Sequence, residues 1–216
     1  WSQLWEAPKV AARRSKSFSS IPGPVSAWIR AGEIDAQKIT CLPYDKEKFL
    51  LAVVKIRSLT LLKPNVFFDY MVKLCADAGV SLVFGRELKK APWNGATKWL
   101  SASKAMILLS LRGKREDKFW FSFFHEASHV LNDPKKDLYI NNSNDEDVRE
   151  KKADQFAADI LIPEKYNEQI KKITTIKQIK QLASDLNLSQ GIIVGRYQHL
   201  TKQWNQYNNL ILNLVW

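Results

Sequence analysis

Phe119–Asp133 reads FWFSFFHEASHVLND and holds two of the chain's three histidines, with a glutamate directly after the first. In a helix, positions i and i+4 stand one above the other, so His125 and His129 turn their imidazoles to one side and can close on a single ion. Glu126 lies about 100° further round, near enough to reach a water between the rings without ligating the ion itself. On the far side Trp120, Phe123, Ala127, Val130 and Leu131 recur at helical spacing. The segment therefore predicts an amphipathic helix with a core-facing stripe and its chemistry on the drier edge of a cleft.

His-Glu-x-x-His on a helix points to a zinc hydrolase with a stated mechanism, but three fixed positions also arise by accident. A third ligand separates the two readings. Arg149–Pro163, REKKADQFAADILIP, offers one. Ala153, Phe156, Ala157, Ile160 and Leu161 form the apolar face of a second helix, and Glu150 and Asp154 fall together on its edge. Glu150 is then an anionic oxygen ligand, and Asp154, one turn later, accepts a hydrogen bond from a ligand histidine's other ring nitrogen. The small residues Ala153, Ala157 and Ala158 allow the close approach this requires. Glu150 taken alone reads equally well as a solvated helix charge. Two histidines, one glutamate and a water make an open catalytic zinc set. Manganese or iron in place of zinc stays open at this level.

FFHEASHVLND followed by EKKADQFAADILIP resembles the ImmA/IrrE family of zinc-dependent metallopeptidases. Its pattern is a His-Glu-x-x-His helix, then Glu-x-x-Ala-(Asn/Asp)-x-Phe-Ala with a Leu/Ile-Pro close. GATKWLSASKAMILLSLR before the motif and SQGIIVGRYQHL near the C-terminus extend the likeness. It is most similar to the form of the family attached to HigA-like antitoxins and other helix-turn-helix regulators. The resemblance implies His125, His129 and Glu150 as ligands of Zn2+, Glu126 as the catalytic base and Asp154 as an outer partner in a gluzincin-like arrangement. It also implies a protein or peptide substrate of regulatory kind, a repressor or antitoxin. In GRYQH, Arg196 and His199 are candidates for the donor that stabilises an oxyanion opposite the zinc.

With 216 residues, 45% hydrophobic and 25% charged, the chain is long enough for a substantial core and ordinary in composition for a globular protein. No apolar run approaches the roughly 18 to 20 residues of a membrane span and no signal segment opens the chain, so the default location is cytoplasmic, without a membrane partner. Cys41 and Cys75 have no metal-ligand spacing and read as free thiols. The formal net charge of +11 is spread along the chain without a nucleic-acid signature, so direct nucleic-acid binding is not expected. The chain begins at Trp1 rather than Met, and with the resemblance this suggests a DNA-binding module upstream.

Residues 1–23 read as an extended, basic, Ser/Pro-rich arm whose Trp1, Leu4 and Trp5 call for a surface to dock on. Residues 24–78 read as helical: a stretch from Pro24 that Gly32 divides into two short helices, a helix capped by Asp45 with Phe49, Val53 and Ile56 inward, and one after Lys63-Pro64 with Phe67, Met71, Leu74 and Cys75 inward, ended by Gly79. Residues 79–216 then form the metallopeptidase-like core, and 24–216 could be one domain. Within it Val80–Phe84 is a strand, and Ala96–Leu100 with Ala105–Leu111 a hairpin. The MILLSL run is central and ATKWL near an edge, where a peptide could be held extended by strand addition. Glu116 and Asp117 suit the positive end of the site helix, and PKKDLYINNSNDEDV reads as a polar loop.

Beyond Pro163, Ile173, Ile176, Ile179, Leu182 and Ala183 make a helical stripe, and Ser189 caps a last helix. LASDLNLSQGIIVGRYQ has the outline of a helix-turn-helix. Gly191, Ile192, Ile193 and Val194 want burial where a DNA reader needs polar side chains, so a structural helical pair is preferred over DNA binding through residues 174–199. The expected fold class is α+β, mainly helical, with a small, about three-stranded, antiparallel or mixed sheet packed on the site helix. The expected function is a zinc-dependent endopeptidase module, its activity conditional on a trigger. The alternative is the metal-binding sensor or regulatory half of a DNA-binding antitoxin or transcriptional regulator.

Overall fold

The apolar run KAMILLS forms the strand β3 (Lys104–Ser110), buried on both faces at the centre of a three-stranded sheet. Its neighbours are β1 (Val80–Gly85), parallel to it, and β2 (Gly95–Ser101), antiparallel. The sheet is therefore mixed, in the order β1-β3-β2, and β2 is an edge, as its more mixed composition suggests. The computed structural model describes residues 22–86, 94–110, 112–135 and 143–215. The expected arm over 1–23 falls almost wholly outside the described residues, as do Leu111 of the hairpin and much of the 134–148 loop.

The described residues form eight helices and this sheet, and the fold is α+β and mainly helical. Strand alternation sends Met106 and Leu108 to one face and Ala105, Ile107 and Leu109 to the other. The first face is covered by α1 (Pro22–Lys38) through Val25, Trp28, Ile29 and Ala36. The second receives α2 (Lys46–Ser58), α3 (Pro64–Ala76) and the site helix α4 (Glu116–Asn132), with Phe49, Val53, Phe67, Met71, Trp120 and Phe123 all buried in the same cluster. This is a helix, sheet, helix layering with the site helix inside rather than on top.

Local chemistry accounts for most of the boundaries. The Asp45 side chain accepts from the Lys48 amide at the start of α2, and Pro64 occupies the first turn of α3. Gly79 has φ +84, and a Cβ there would lie 2.2 Å from the Tyr44 Cα, so the turn from α3 into β1 admits no side chain.

Three sequence expectations are corrected. Gly32 does not divide the first helix: α1 runs through it, and a Cβ would meet Leu108 Cδ2 at 2.6 Å, so this glycine serves close helix-sheet packing. The helix expected to carry Glu150, α5 (Ser143–Leu161), begins inside the expected polar loop. The site helix is not amphipathic with one dry edge. From Phe119 to Leu131 every residue except Phe121 is buried, because sheet, α2, α5 and α8 (Gln190–Thr201) enclose it.

After α5 come the short α6 (Asn167–Lys171) and α7 (Ile176–Leu186). Ile173 lies between them, and Thr175 with Gln178 forms a capping box that starts α7. Ser189 stands at the N-cap of α8, but its hydroxyl makes no capping bond. Gly191, Ile192, Ile193 and Val194 are buried and α8 packs on α4, so this pair of helices serves the core. The C-terminal segment closes over the start of α4: the Glu116 amide donates to the Leu212 carbonyl, the Leu212 amide to Glu116 Oε1, and Leu214 is fully buried. Cys41 and Cys75 are free thiols, and burial pushes Cys75 far above its ordinary value.

Candidate metal centre

Three side chains from two helices converge. His125 and His129 on α4 bring their Nε2 atoms to 3.1 Å from each other, and Glu150 on α5 places Oε2 3.2 Å from His125 Nε2 and Oε1 3.4 Å from His129 Nε2. All three ligand atoms lie within 4.8 Å of one another. The approach of α5 to α4 depends on what lies between them. Ala153 and Ala157 are buried at the contact, where a larger side chain would hold the helices apart and withdraw Glu150. The last turn of α5 is anchored separately: Arg57 donates to the Ile160 and Leu161 carbonyls at 2.7 and 3.0 Å, a partner for the negative end of that helix.

The other ring nitrogen of each histidine meets a carboxylate. His125 Nδ1 donates to Asp154 Oδ1 at 2.9 Å, and His129 Nδ1 to Asp133 Oδ2 at 2.8 Å. These bonds hold both rings in the orientation that turns Nε2 toward Glu150, as outer carboxylates do for metal-ligating histidines. Asp133 closes α4, its amide donating to the His129 carbonyl, and its side chain folds back one turn onto the ring. No role for Asp133 follows from the motif as read above, although the His129-x-x-x-Asp133 spacing is the same i, i+4 relation that marks the histidines.

Burial and charge oppose each other in this cluster. Burial disfavours an imidazolium, yet Asp133 and Glu150 outweigh it and push His129 up to about 10. His125 is raised for the same reason, with burial working against Asp154 and Glu150. Burial would raise Glu150, but the two rings hold it down at about 2. Two imidazoles facing an ionised carboxylate form a group that could hold a metal ion. The donor set suits a divalent ion of borderline softness.

Glu126 is fully buried beside the cluster. Burial pushes its carboxyl above the ordinary range, against the pull of both histidines. The Thr97 hydroxyl on β2 lies 2.8 Å from Oε2 and 3.1 Å from the Glu126 carbonyl, while Oε1 has no hydrogen-bond partner among the described residues. Arg196 and His199 do not join this group. The Arg196 guanidinium is engaged with the Ile162 carbonyl at 3.1 Å and Asn167 Oδ1 at 3.0 Å, tying α8 to the turn after α5, and His199 is exposed near the end of α8.

The family model for the IrrE N-terminal-like domain, Peptidase_M78, matches residues 79–197, more than half of the chain. The chain belongs to this family. No curated protein matches it. The matched span begins at β1 and runs to Tyr197 in α8, so it takes in the sheet, α4 and α5. The family is one of metallopeptidases, which makes a bound metal and a protein substrate the coarse expectation for the site. Among the described residues no helix is long and apolar enough to cross a membrane.

Proposed function

We propose that the chain is a zinc-dependent endopeptidase module that cuts a regulatory protein of repressor or antitoxin type. The observation that carries this reading is the convergence of His125, His129 and Glu150, with the buried Glu126 alongside. His125, His129 and Glu150 would hold an ion through three protein ligands, the number of a catalytic site rather than the four of a closed structural one. An ion bound there supplies Lewis acidity to a water and to the scissile carbonyl.

The rest is done by the chain's own residues. Glu126 takes a proton from the attacking water at Oε1, the oxygen left without a hydrogen-bond partner among the described residues, and returns it to the leaving amine. Its burial suits that exchange, because a carboxyl raised toward neutrality accepts and releases a proton with less mismatch. Asp133 and Asp154 keep the rings turned inward. The side of β2 that no other described strand pairs offers backbone groups to an extended peptide, which would then run past Gly95 and Thr97, next to Glu126.

Metal content and proteolysis of a tagged candidate repressor, measured on the same preparations, test the reading. Glu126→Gln should keep its zinc and lose cleavage, whereas His125→Ala, His129→Ala or Glu150→Ala should lose the zinc. Full cleavage by Glu126→Gln removes the base assignment. A wild-type chain that holds zinc, cuts nothing and gives the same regulatory output with Glu126→Gln supports the sensor reading instead.

A further inference from the structure

Strand alternation puts Gly95, Thr97 and Trp99 on the face of β2 that looks at α4. Two of the three touch Glu126. A Cβ on Gly95 would stand 2.7 Å from both Cγ and Oε1 of Glu126, so the bare backbone there forms one wall of the carboxylate's chamber. Thr97, itself buried, puts its hydroxyl 2.8 Å from Oε2 and 3.1 Å from the Glu126 backbone carbonyl. The carboxylate is therefore tethered by one oxygen, walled on one side, and left with Oε1 buried and without a partner among the described residues. A glutamate's last torsion is broad and roughly two-fold, so burial alone does not choose which oxygen is held and which is left free. The Thr97 hydroxyl holds Oε2.

We propose that Thr97 is the positioning residue for the general base: its hydroxyl holds Glu126 Oε2 so that Oε1 is the oxygen presented to the water and to substrate. This rests on the reading of Glu126 as proton acceptor given above. It also links the two halves of the site, since Thr97 sits on the edge strand that a peptide would pair with. A purely structural Thr97 would only satisfy a buried carboxylate, and its loss would show in thermal stability without changing how the base meets a ligand.

The test uses acetohydroxamate, which chelates the ion and gives its hydroxyl proton to the neighbouring base. Affinity is read from the visible absorption of the cobalt-loaded protein, alongside metal affinity and thermal melting, for wild type, Thr97→Val, Thr97→Ser and Glu126→Gln. Valine matches threonine in shape and removes only the hydroxyl. Thr97→Val should weaken the hydroxamate about ten- to a hundredfold, as losing a well-aligned charge-assisted hydrogen bond does. Glu126→Gln should weaken it at least as much, Thr97→Ser should stay within about threefold of wild type, and metal affinity should hold in all of them. The proposal is overturned if Thr97→Val binds the probe like wild type while Glu126→Gln loses it. It is also overturned if Thr97→Ser fails as Thr97→Val does, since the hydroxyl is then not the operative group. If Glu126→Gln itself binds like wild type, the proton-acceptor reading fails and Thr97 falls with it.

Discussion

Replacing Asp133 by asparagine probes the metal centre at the residue that the His-Glu-x-x-His motif does not contain. The carboxylate accepts from His129 Nδ1 at 2.8 Å, and that ring is almost completely buried. Asparagine keeps the shape and an acceptor oxygen but removes the charge. Outer partners of this kind change metal affinity by about 10- to 100-fold, or ~1.4 to 2.7 kcal/mol. Exposure places Asp133 toward the upper part of that range and Asp154 toward the lower. Asp133 is 18% exposed and Asp154 56%, so water screens the second charge more than the first. Asp133 also favours the competing proton, since it helps push His129 up to about 10. A doubly charged ion gains more from the same carboxylate than a proton does, so the net effect remains a loss of metal affinity. The assay is zinc competition against a chromophoric chelator at pH 7 for wild type, Asp133→Asn, Asp133→Ala and Asp154→Asn. Asp133→Ala should lose most, Asp133→Asn next, and Asp154→Asn least. Wild-type affinity in Asp133→Ala, or a larger loss in Asp154→Asn than in Asp133→Asn, would refute the argument that the shielded carboxylate orients the ring.

Further outcomes follow from the same geometry. In the metal-free chain burial opposes, but Asp133 and Glu150 favour, a protonated His129 up to about 10, so an incoming ion must displace that proton. Apparent zinc affinity should rise between pH 6 and 8, by up to about tenfold per unit for each proton released, and calorimetry in buffers of different ionisation enthalpy should detect the release; a flat profile contradicts the charged cluster. For metal-free stability, the raised His129 contributes fully below its unfolded value of about 6.5 and loses that contribution as pH climbs through about 10. Glu150, held at about 2, contributes above about 4.5 and loses that as pH falls through about 2, so these groups together favour the fold most between about 4.5 and 6.5. Gly95→Ala drives a methyl into Glu126 at 2.7 Å and should cost ~1 to 3 kcal/mol in a denaturant melt; an unchanged melt contradicts the close approach. Glu116 is buried under the C-terminal segment, and burial raises its carboxyl, so its ionisation opposes folding increasingly as pH rises above the unfolded value. Glu116→Gln keeps an acceptor for the Leu212 amide and should raise Tm at pH 7 but not at pH 4; equal shifts at both would point to packing instead.

What the chain reveals before folding depends on the range over which each feature is decided. Helix starts are set within four residues, so Asp45 and Pro64 mark them openly. The central place of MILLSL follows from apolar residues on both faces; helical period puts the two α4 histidines on one side and Glu150 with Asp154 on one edge of α5, while reading Glu150 as a ligand needed the motif upstream as well. Gly32 misleads because a glycine that breaks a helix and a glycine that lets a helix lie against Leu108 look the same in one dimension. The enclosure of α4 is hidden for a related reason. Its second face carries His125, Glu126 and His129, polar residues that count as solvent-facing until their partners on α5, β2 and the turn at Asp133 are known.

The two supporting residues separate along the same line. Asp133 stands at i+4 from His129 and was available to the same periodicity that paired the histidines. Thr97 was not, because nothing within 29 residues of it names Glu126, and only the packing of an edge strand on the site helix brings the hydroxyl to the carboxylate. A motif of adjacent residues can specify which atoms bind an ion. The direction in which the neighbouring base points is decided by a contact across the core, so a chain could keep His-Glu-x-x-His and Glu150 intact and still lose the base's aim through a change on β2.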